Sequence, residues 1–243
     1  MSAHRGSETI ESHAEEPCVR CPLRRQGICN ALIGEPPKAE RMALRKEGRI
    51  GVKRQLHQPG EQVSTIKMLR KGWLAGILSK SGDKRLIARI LMPGDMVGGG
   101  VLLQGRPFYT MEALTDVDYC SFPVSSFAKM AETDPDFLKA LTLYSAEAYR
   151  THQNRIFEIG SREAEERILS LVLELYDRAH KRGHARDGTM FFPLRQYHLA
   201  DATGMTPVHV NRTLKRLRDL DLLHHERQTI SMPDVAKVRR RLG

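Results

Sequence analysis

The sequence predicts an α+β protein in which a β-sandwich is followed by one long helix and a winged helix-turn-helix. Three observations predict this order. Short extended segments between turn residues fill 50–125, a helical pattern without Gly or Pro fills 136–159, and two short helices joined at a glycine follow near the end of the chain. We expect an N-terminal segment, a sandwich, a dimerisation helix and a DNA-binding domain at 1–35, 36–135, 136–160 and 161–243.

Composition indicates a protein with an anionic partner. The 243 residues are 40% hydrophobic, and the formal net charge is +10, which favours nucleic acid over a membrane surface. No apolar run approaches the ~18–20 residues of a membrane span, and the polar N-terminus lacks the apolar centre of a signal peptide. We therefore expect a cytoplasmic protein, in which thiols serve metal binding or redox chemistry more often than structural disulfides.

Three of the four cysteines lie close together in the N-terminal segment. Cys18, Cys21 and Cys29 belong to a basic stretch, and Cys120 is far away in the sequence. Four thiolates suit tetrahedral zinc or an iron–sulfur cluster. Cys-x-x-Cys alone is common, so a zinc site, a thiol–disulfide pair and cysteines without a function remain as alternatives.

The segment before residue 135 has the pattern of an all-β domain. Strand-like pieces at Trp73–Leu78, Arg85–Leu91 and Asp116–Phe122 are separated by turns such as Met92-Pro-Gly-Asp95. Cys120 falls in the last of these predicted strands. A sandwich or barrel is the expected result.

The helical segment after Asp134-Pro135 carries one stripe with alternating steps of four and three. Its members are Leu138, Thr142, Ser145, Tyr149, His152, Ile156 and Ile159. Such a seam favours pairing with a second copy of the same helix, and we expect Ser145, Tyr149, His152 and Ile156 at the centre of a homodimer contact. A protonated His152 facing its symmetry mate would weaken that pairing. The alternatives are a helix that packs only on its own domain and an ordinary packed histidine.

A further helix is predicted over Ser161–Lys181. Ser161 followed by acidic residues resembles an N-cap arrangement. Residues 182–190 are polar, and we expect them to form a loop.

The C-terminal segment predicts a helix-turn-helix. A first helix ends at Gly204, Thr206 caps the second helix, and Pro207 occupies its first position. Val210, Leu214 and Leu217 form the inward stripe of the second helix, which would enter the major groove. The expected DNA-binding residues are Thr206, Val208, His209, Asn211, Arg212, Lys215 and Arg216.

Roles within this set follow from side-chain chemistry. Asn211 and Arg212 suit base edges, whereas Lys215 and Arg216 suit phosphates. The run His224–Met232 is expected to form the wing hairpin. A generic helical hairpin with a solvated basic face is the alternative to a DNA-binding module.

Taken together, these motifs resemble the CRP/FNR family of bacterial transcription regulators over nearly the whole chain. Gly94-Asp-Met-Val-Gly98 is similar to the glycine-rich motif of its sandwich, and Ala164-Glu-Glu-Arg-Ile168 and the helix-turn-helix extend the match. The resemblance implies a cyclic-nucleotide-binding-like β-sandwich of jelly-roll type. It also implies a homodimer on double-stranded DNA, and contact with RNA polymerase if the protein is an activator.

The cysteines resemble those of the FNR-like branch. Members of that branch hold an oxygen-labile [4Fe-4S] cluster on three N-terminal cysteines and one sandwich cysteine, and the context Asp118-Tyr-Cys-Ser-Phe-Pro123 is similar to that of the sandwich ligand. The resemblance therefore implies Cys18, Cys21, Cys29 and Cys120 as ligands, with [2Fe-2S] or zinc as alternative centres. Oxygen or redox sensing is the expected function. The alternative is a regulator of this family that responds to another signal, such as a haem-bound gas or a small metabolite.

Three departures limit the resemblance. The gap between Cys21 and Cys29 is longer than in the best-known enterobacterial member. Only Arg212 matches the Glu-x-x-Ser-Arg pattern of the FNR recognition helix, because Val208 and Asn211 occupy the other positions. Pro107 lies near the place of the phosphate-pairing arginine of the cyclic-AMP branch, so cyclic nucleotide binding is disfavoured. Motifs of the common enzyme classes are absent from the sequence, and we expect no enzymatic activity.

Overall fold

The computed structural model describes residues 18–79 and 85–243, apart from the side chains of Leu103 and Gln104. Residues 1–17 of the predicted N-terminal segment lie outside the described part. The chain forms two compact units. The first contains the described residues up to Leu78 together with Arg89–Tyr149. The second contains Arg150–Gly243 and the described residues of 79–88.

The elements up to the long helix include most of the strands. In chain order they are a 3-10 turn (Cys18–Arg20), α1 (Cys29–Ile33), α2 (Ala39–Met42), β1 (Lys46–Ile50), β2 (Gln55–His57), β3 (Thr65–Lys71), β4 (Leu74–Ser79), β5 (Arg85–Leu91), β6 (Met96–Val97), α3 (Gly99–Gln104), β7 (Thr110–Ala113), β8 (Val117–Pro123), α4 (Val124–Thr133) and α5 (Pro135–Ser161).

The remaining elements are four helices and four short strands. They are α6 (Ala164–Lys181), β9 (Ala185–Arg186), β10 (Thr189–Phe191), α7 (Gln196–Thr203), α8 (Pro207–Asp219), β11 (His224–Glu226), β12 (Thr229–Ser231) and α9 (Val235–Leu242).

Two four-stranded sheets form the predicted sandwich. The first sheet has the order β1-β8-β3-β6 and the second has the order β2-β7-β4-β5. Apolar residues from both sheets pack between them, among them Leu69, Leu74, Val117 and Tyr119. This arrangement confirms the jelly-roll type of fold. The three predicted strands correspond to β4, β5 and β8 and were correct to within one residue, because turn residues lie between them.

The outer face of the first sheet carries a second core. Residues of β8 alternate, so that Tyr119 points between the sheets while Cys120 and Phe122 point outward. The chain from Cys18 onward covers this outer face with short helices, and Ile28 and Leu32 are fully buried there. The described part of the N-terminal segment, residues 18–35, is therefore folded against this sheet face, and we call it the cover.

Helix α5 packs on this second core with one side only. Phe137 is fully buried, Tyr144 packs beside it, and the Tyr144 hydroxyl accepts a hydrogen bond from Met96 N at 2.9 Å. The predicted seam lies on another side of the helix and is exposed at Tyr149 (65%) and Ile156 (73%). If α5 packed on its own domain through the predicted seam, Tyr149 and Ile156 would be buried. In this chain they are exposed.

The start of α5 is fixed by an ion pair between the buried Arg41 and the half-buried Asp134. Asp134 accepts backbone hydrogen bonds from Asp136 and Phe137, both at 3.1 Å, and its other carboxylate oxygen lies 2.5 Å from Arg41 Nη2. Arg41 also donates to the carbonyl of Ala31 at 2.9 Å. One guanidinium therefore joins the cysteine-bearing segment to the first turn of the long helix.

Replacing Asp134 by alanine is expected to destabilise the first unit by about 1–2 kcal/mol, because a helix cap and a buried arginine lose their partner. The hydrogen bond from Arg41 lowers the pKa of Asp134 from 3.8 to about 2. The stabilisation is thus complete above about pH 4 and is lost as the pH falls towards 2. Urea titrations between pH 2 and 7 measure it. Equal pH profiles for wild type and variant would contradict this account.

The second unit contains a correction to the predicted start of α6. Ser161 was expected to be its N-cap but is the last residue of α5, where its hydroxyl donates to the Phe157 carbonyl at 2.6 Å. Glu163 caps α6 and forms a capping box with Glu166. The acidic residues thus cap this helix themselves.

The small sheet of the second unit contains another correction. Its order is β11-β12-β10-β9. Residues 182–190 were predicted to form a polar loop, but β9 and β10 make a hairpin there, turning at Asp187 and Gly188 with positive φ. The predicted wing is confirmed as β11 and β12. The sequence analysis did not identify the basic helix α9, which closes the described chain.

Candidate cysteine centre and nucleic-acid interface

The four cysteines line one small cavity on the outer face of the first sheet. Cys18 begins the 3-10 turn, Cys21 follows it, and Cys29 starts α1, while Cys120 lies in the middle of β8. Cys18 and Cys120 are buried, and Cys21 and Cys29 are half-buried. The folded cover thus brings the three N-terminal thiols to the sheet cysteine, because its apolar residues pack on the same face as Cys120.

Three arginines also line this cavity, namely Arg24, Arg45 and Arg70. Arg45 Nη1 lies 3.8 Å from the sulfur of Cys120. Arg24 is buried and pairs with Glu35 at 2.6 Å, but its Nε has no hydrogen-bond partner among the described residues. A buried donor without an acceptor is costly in a folded protein. An anionic group in the cavity would supply the missing acceptor.

Burial keeps the thiols of Cys18 and Cys120 protonated. It raises the pKa of Cys120 to about 11, and the positive charges of Arg45 and Arg70 oppose this shift only in part. The pKa of Cys18 is raised for the same reason. Such thiols react slowly on their own, since the thiolate is the reactive form, whereas a bound metal displaces the proton. The environment therefore favours metal ligands over a freely reactive thiol pair.

The residues fit a four-thiolate centre in donor chemistry and in charge. The cavity has free space of about 30 Å³, so a centre of several atoms requires the half-buried turns at Cys21 and Cys29 to shift. Over 18–79 and 85–243, no three Cys, His, Asp or Glu side chains lie close enough to chelate one metal ion. The thiols thus share a cavity without yet forming a chelate.

The helix-turn-helix has the predicted local geometry. Gly204 ends α7 in the left-handed conformation (φ 69°), and the Thr206 hydroxyl accepts from His209 N at 3.2 Å. Pro207 is the first residue of α8, where a missing N–H carries no penalty. Val210 and Leu217 are fully buried against the unit, and Leu214 is half-buried. The register of α8 is therefore the one expected.

All of the expected DNA-binding side chains lie on the exposed side of α8 or at its cap. The set is Thr206, Val208, His209, Asn211, Arg212, Lys215 and Arg216. Asn211 accepts a long hydrogen bond from Gln196 Nε2, at 3.4 Å. A weak contact of this kind leaves the amide available for a base edge.

Arg216 is held by Glu165, which was not among the site residues expected from the sequence. Its Nε lies 2.6 Å from one oxygen of the buried Glu165, whose other oxygen lies 2.7 Å from Arg241 Nη2 of α9. Glu165 resembled an ordinary acidic residue of a helix N-terminus, so only the fold reveals this bridge. Arg216 nevertheless keeps 73% of its side chain exposed and stays within reach of a phosphate.

The expected dimerisation residues lie on one side of α5. Ser145, Tyr149 and Ile156 are exposed in the single chain, and His152 is half-buried. Leu143 and Phe157 add exposed apolar surface on the same helix but outside the predicted seam. The homodimer contact thus remains a prediction with an available surface.

Two family models match the chain. One, described as a Crp-like helix-turn-helix domain, matches residues 166–241, and the other, described as a cyclic nucleotide-binding domain, matches residues 53–134. The order of the two domains agrees with the fold. The second match concerns the sandwich and not its ligand, so the disfavoured binding of a cyclic nucleotide stays a prediction.

Curated relatives cover nearly the whole chain. A probable transcriptional activator from Rhizobium leguminosarum bv. viciae is 25% identical over 98% of both chains. The nitrogen fixation regulation protein FixK from Bradyrhizobium diazoefficiens is 24% identical over 91% of this chain and 92% of its own. The transcriptional activator protein FnrA from Stutzerimonas stutzeri is 23% identical over 94% of both.

Among solved structures, FixK2 from Bradyrhizobium japonicum has the same fold. The TM-score is 0.72 at 22% identity, over 81% of this chain and 96% of that one. One matched family is a helix-turn-helix domain and the relatives named above are regulatory proteins, in agreement with the prediction that the chain is not an enzyme. No helix in the described ranges has the length and apolar character needed to cross a membrane.

Proposed function

We propose that this chain, a DNA-binding transcription regulator of the CRP/FNR type, senses oxygen through an iron–sulfur cluster on Cys18, Cys21, Cys29 and Cys120. We further propose that it binds a pseudo-palindromic operator as a homodimer while the cluster is intact. The observation that carries this proposal is that the four thiols line one cavity, although Cys120 is far from the other three cysteines in the sequence.

Such a cluster, when bound, supplies iron–thiolate bonds that are lost when oxygen attacks it. The four cysteines would hold it, with Cys120 on a rigid strand and the other three on the cover. The cover residues would then be tied covalently to the sheet as well as packed on it. The [4Fe-4S] form is the first choice, and [2Fe-2S] or zinc are alternatives for the same thiols.

Two sets of contacts could transmit a conformational change from the cover to the dimerisation helix. Arg41 joins the carbonyl of Ala31 to the cap residue Asp134 of α5. A row of aromatic rings gives the second path, since Phe127 lies 6.4 Å from Phe122 and 5.5 Å from Phe137, between ring centroids. Packed side chains and hydrogen-bonded ion pairs can carry coupling between elements, so both paths support the proposal.

In the proposed dimer, the exposed seam of α5 would pair with the same seam of a second copy. Pairing would place two α8 helices roughly 34 Å apart, one turn of DNA, over a site with two-fold symmetry. Arg212 and Asn211 would contact bases, and Lys215 and Arg216 would contact phosphates.

Replacing Arg212 by alanine is expected to reduce discrimination between operator and unrelated DNA by about 1–3 kcal/mol, because a bidentate contact to guanine is lost. Replacing Lys215 by alanine is expected instead to weaken both DNAs equally and to lower the salt slope by about one. Fluorescence anisotropy at several KCl concentrations measures both effects, with an operator selected from random DNA by the wild type. If the alanine variant at 212 discriminates like wild type, the proposed contact is wrong.

Iron and sulfide analysis tests the proposed centre. Protein purified under anoxia is expected to be brown, to contain iron and acid-labile sulfide, and to bleach in air. Colourless, metal-free protein that still binds the operator would support the second candidate, a regulator of the same type that responds to another signal. Zinc retained at all oxygen levels would indicate a structural centre.

A further inference from the structure

Arg45 lies beside the thiol that is fixed on the sheet. It precedes β1, and only 11% of its side chain is exposed. Arg45 Nη1 is 3.8 Å from Cys120 Sγ, so the guanidinium contacts the cysteine sulfur directly. A positive charge in such a half-buried place acts strongly on a nearby anion, because water screens it little.

Glu47 holds Arg45 in this position. One Glu47 oxygen lies 2.8 Å from Arg45 Nη2 and 2.9 Å from Arg70 Nη1. Glu47 is the register partner of Cys120 across β1 and β8. The carboxylate therefore fixes two guanidinium groups next to the same strand position, and both arginines line the cavity of the four thiols.

We propose that Arg45 is a positioning residue of the four-thiolate centre, whose guanidinium offsets the negative charge of the loaded thiolates at Cys120. This inference rests on the proposed function. Four thiolates exceed the charge of a divalent ion, so the loaded centre remains anionic. Groups outside the ligand set that contact a ligand commonly set metal affinity, and their loss costs about 10–100-fold.

Cobalt binding tests the role of Arg45 in metal affinity without an iron–sulfur cluster. The apo full-length chain is titrated with Co²⁺ under anoxia, and the thiolate-to-cobalt charge-transfer absorbance gives both the number of thiolates and the affinity. Arg45→Met is expected to bind Co²⁺ about tenfold more weakly or worse. Arg45→Lys is expected to recover part of the affinity, since an ammonium keeps the charge but lacks the two separate nitrogens by which Arg45 contacts both Glu47 and Cys120.

Arg49→Met is the matched control. Arg49 lies in β1, the strand that Arg45 precedes. It pairs with Asp118, has 74% of its side chain exposed and does not line the cavity. The Arg49→Met protein should bind Co²⁺ with the same affinity as wild type. Thermal unfolding of all variants is measured in parallel. If Arg45→Met melts well below the control, Arg45→Gln provides a second uncharged side chain for the same comparison.

The air-bleaching rate of protein reconstituted with iron and sulfide gives an independent readout. Arg45→Met is expected to bleach several-fold faster than wild type and control. Wild-type affinity and wild-type bleaching in a folded Arg45→Met protein would overturn the inference. If wild type binds Co²⁺ with four thiolates but takes up no iron, the iron–sulfur proposal fails, and a weakened Arg45→Met still supports the role of Arg45. If the wild-type protein binds neither Co²⁺ nor iron, both the iron–sulfur proposal and the role of Arg45 are contradicted.

Discussion

Replacing Cys120 by alanine is expected to abolish iron uptake and any effect of air on DNA affinity. Cys120 is the only one of the four cysteines on the sandwich sheet, so its loss leaves the cover without a ligand on the sheet. The helix-turn-helix belongs to the other compact unit and should remain folded. Iron analysis after anaerobic reconstitution, together with anisotropy titrations before and after air, measures the effect.

Ser121→Ala is the control for this variant. Ser121 is the next residue of β8, it is half-buried, and it does not line the cavity. It should load iron and respond to air like wild type. A Cys120→Ala protein that keeps its iron and its response to air would show that the centre lies elsewhere.

Replacing Ile156 by glutamate is expected to have the second largest effect, on dimerisation. Ile156 is 73% exposed in the single chain and lies on the predicted seam of α5. Pairing through this seam would bury two carboxylates without partners, at a cost of about 3–5 kcal/mol or more. The dimer dissociation constant should therefore rise by at least about two orders of magnitude, and operator affinity should fall with it.

Leu143→Glu is the matched control for the seam. Leu143 is 62% exposed on the same helix but lies outside the seam stripe. Sedimentation equilibrium under anoxia should show a dimer for this control and a monomer for Ile156→Glu. Unchanged dimerisation of Ile156→Glu, or an equal loss in both variants, would contradict pairing through the predicted seam.

The sequence predicted best those features that are set by local chemistry. The cap at Thr206, the proline that follows it and the turn at Gly204 each act within a few residues, so α7 and α8 were placed correctly. Turn residues between short extended segments likewise located β4, β5 and β8. Ser161 was misassigned because its hydroxyl bonds the Phe157 carbonyl within α5, whereas Glu163, two residues later, caps α6.

Features that depend on distant residues were not predictable from the sequence. The pairing of β10 with β12 turns a polar stretch into part of a sheet, although that stretch has no strand pattern of its own. The bridge from Arg216 through Glu165 to Arg241 joins three helices. The same is true of Arg45 at the cysteine centre. The sequence provides the four thiols, but their charged surroundings require the register of β1 with β8.

Operator binding by a single anaerobically reconstituted sample, measured before and after exposure to air, tests the central claim most directly. The account predicts tight, dimeric binding at first, and a loss of affinity that follows the loss of iron and sulfide point by point. Air-exposed protein that has lost its iron but binds the operator with unchanged affinity would contradict it.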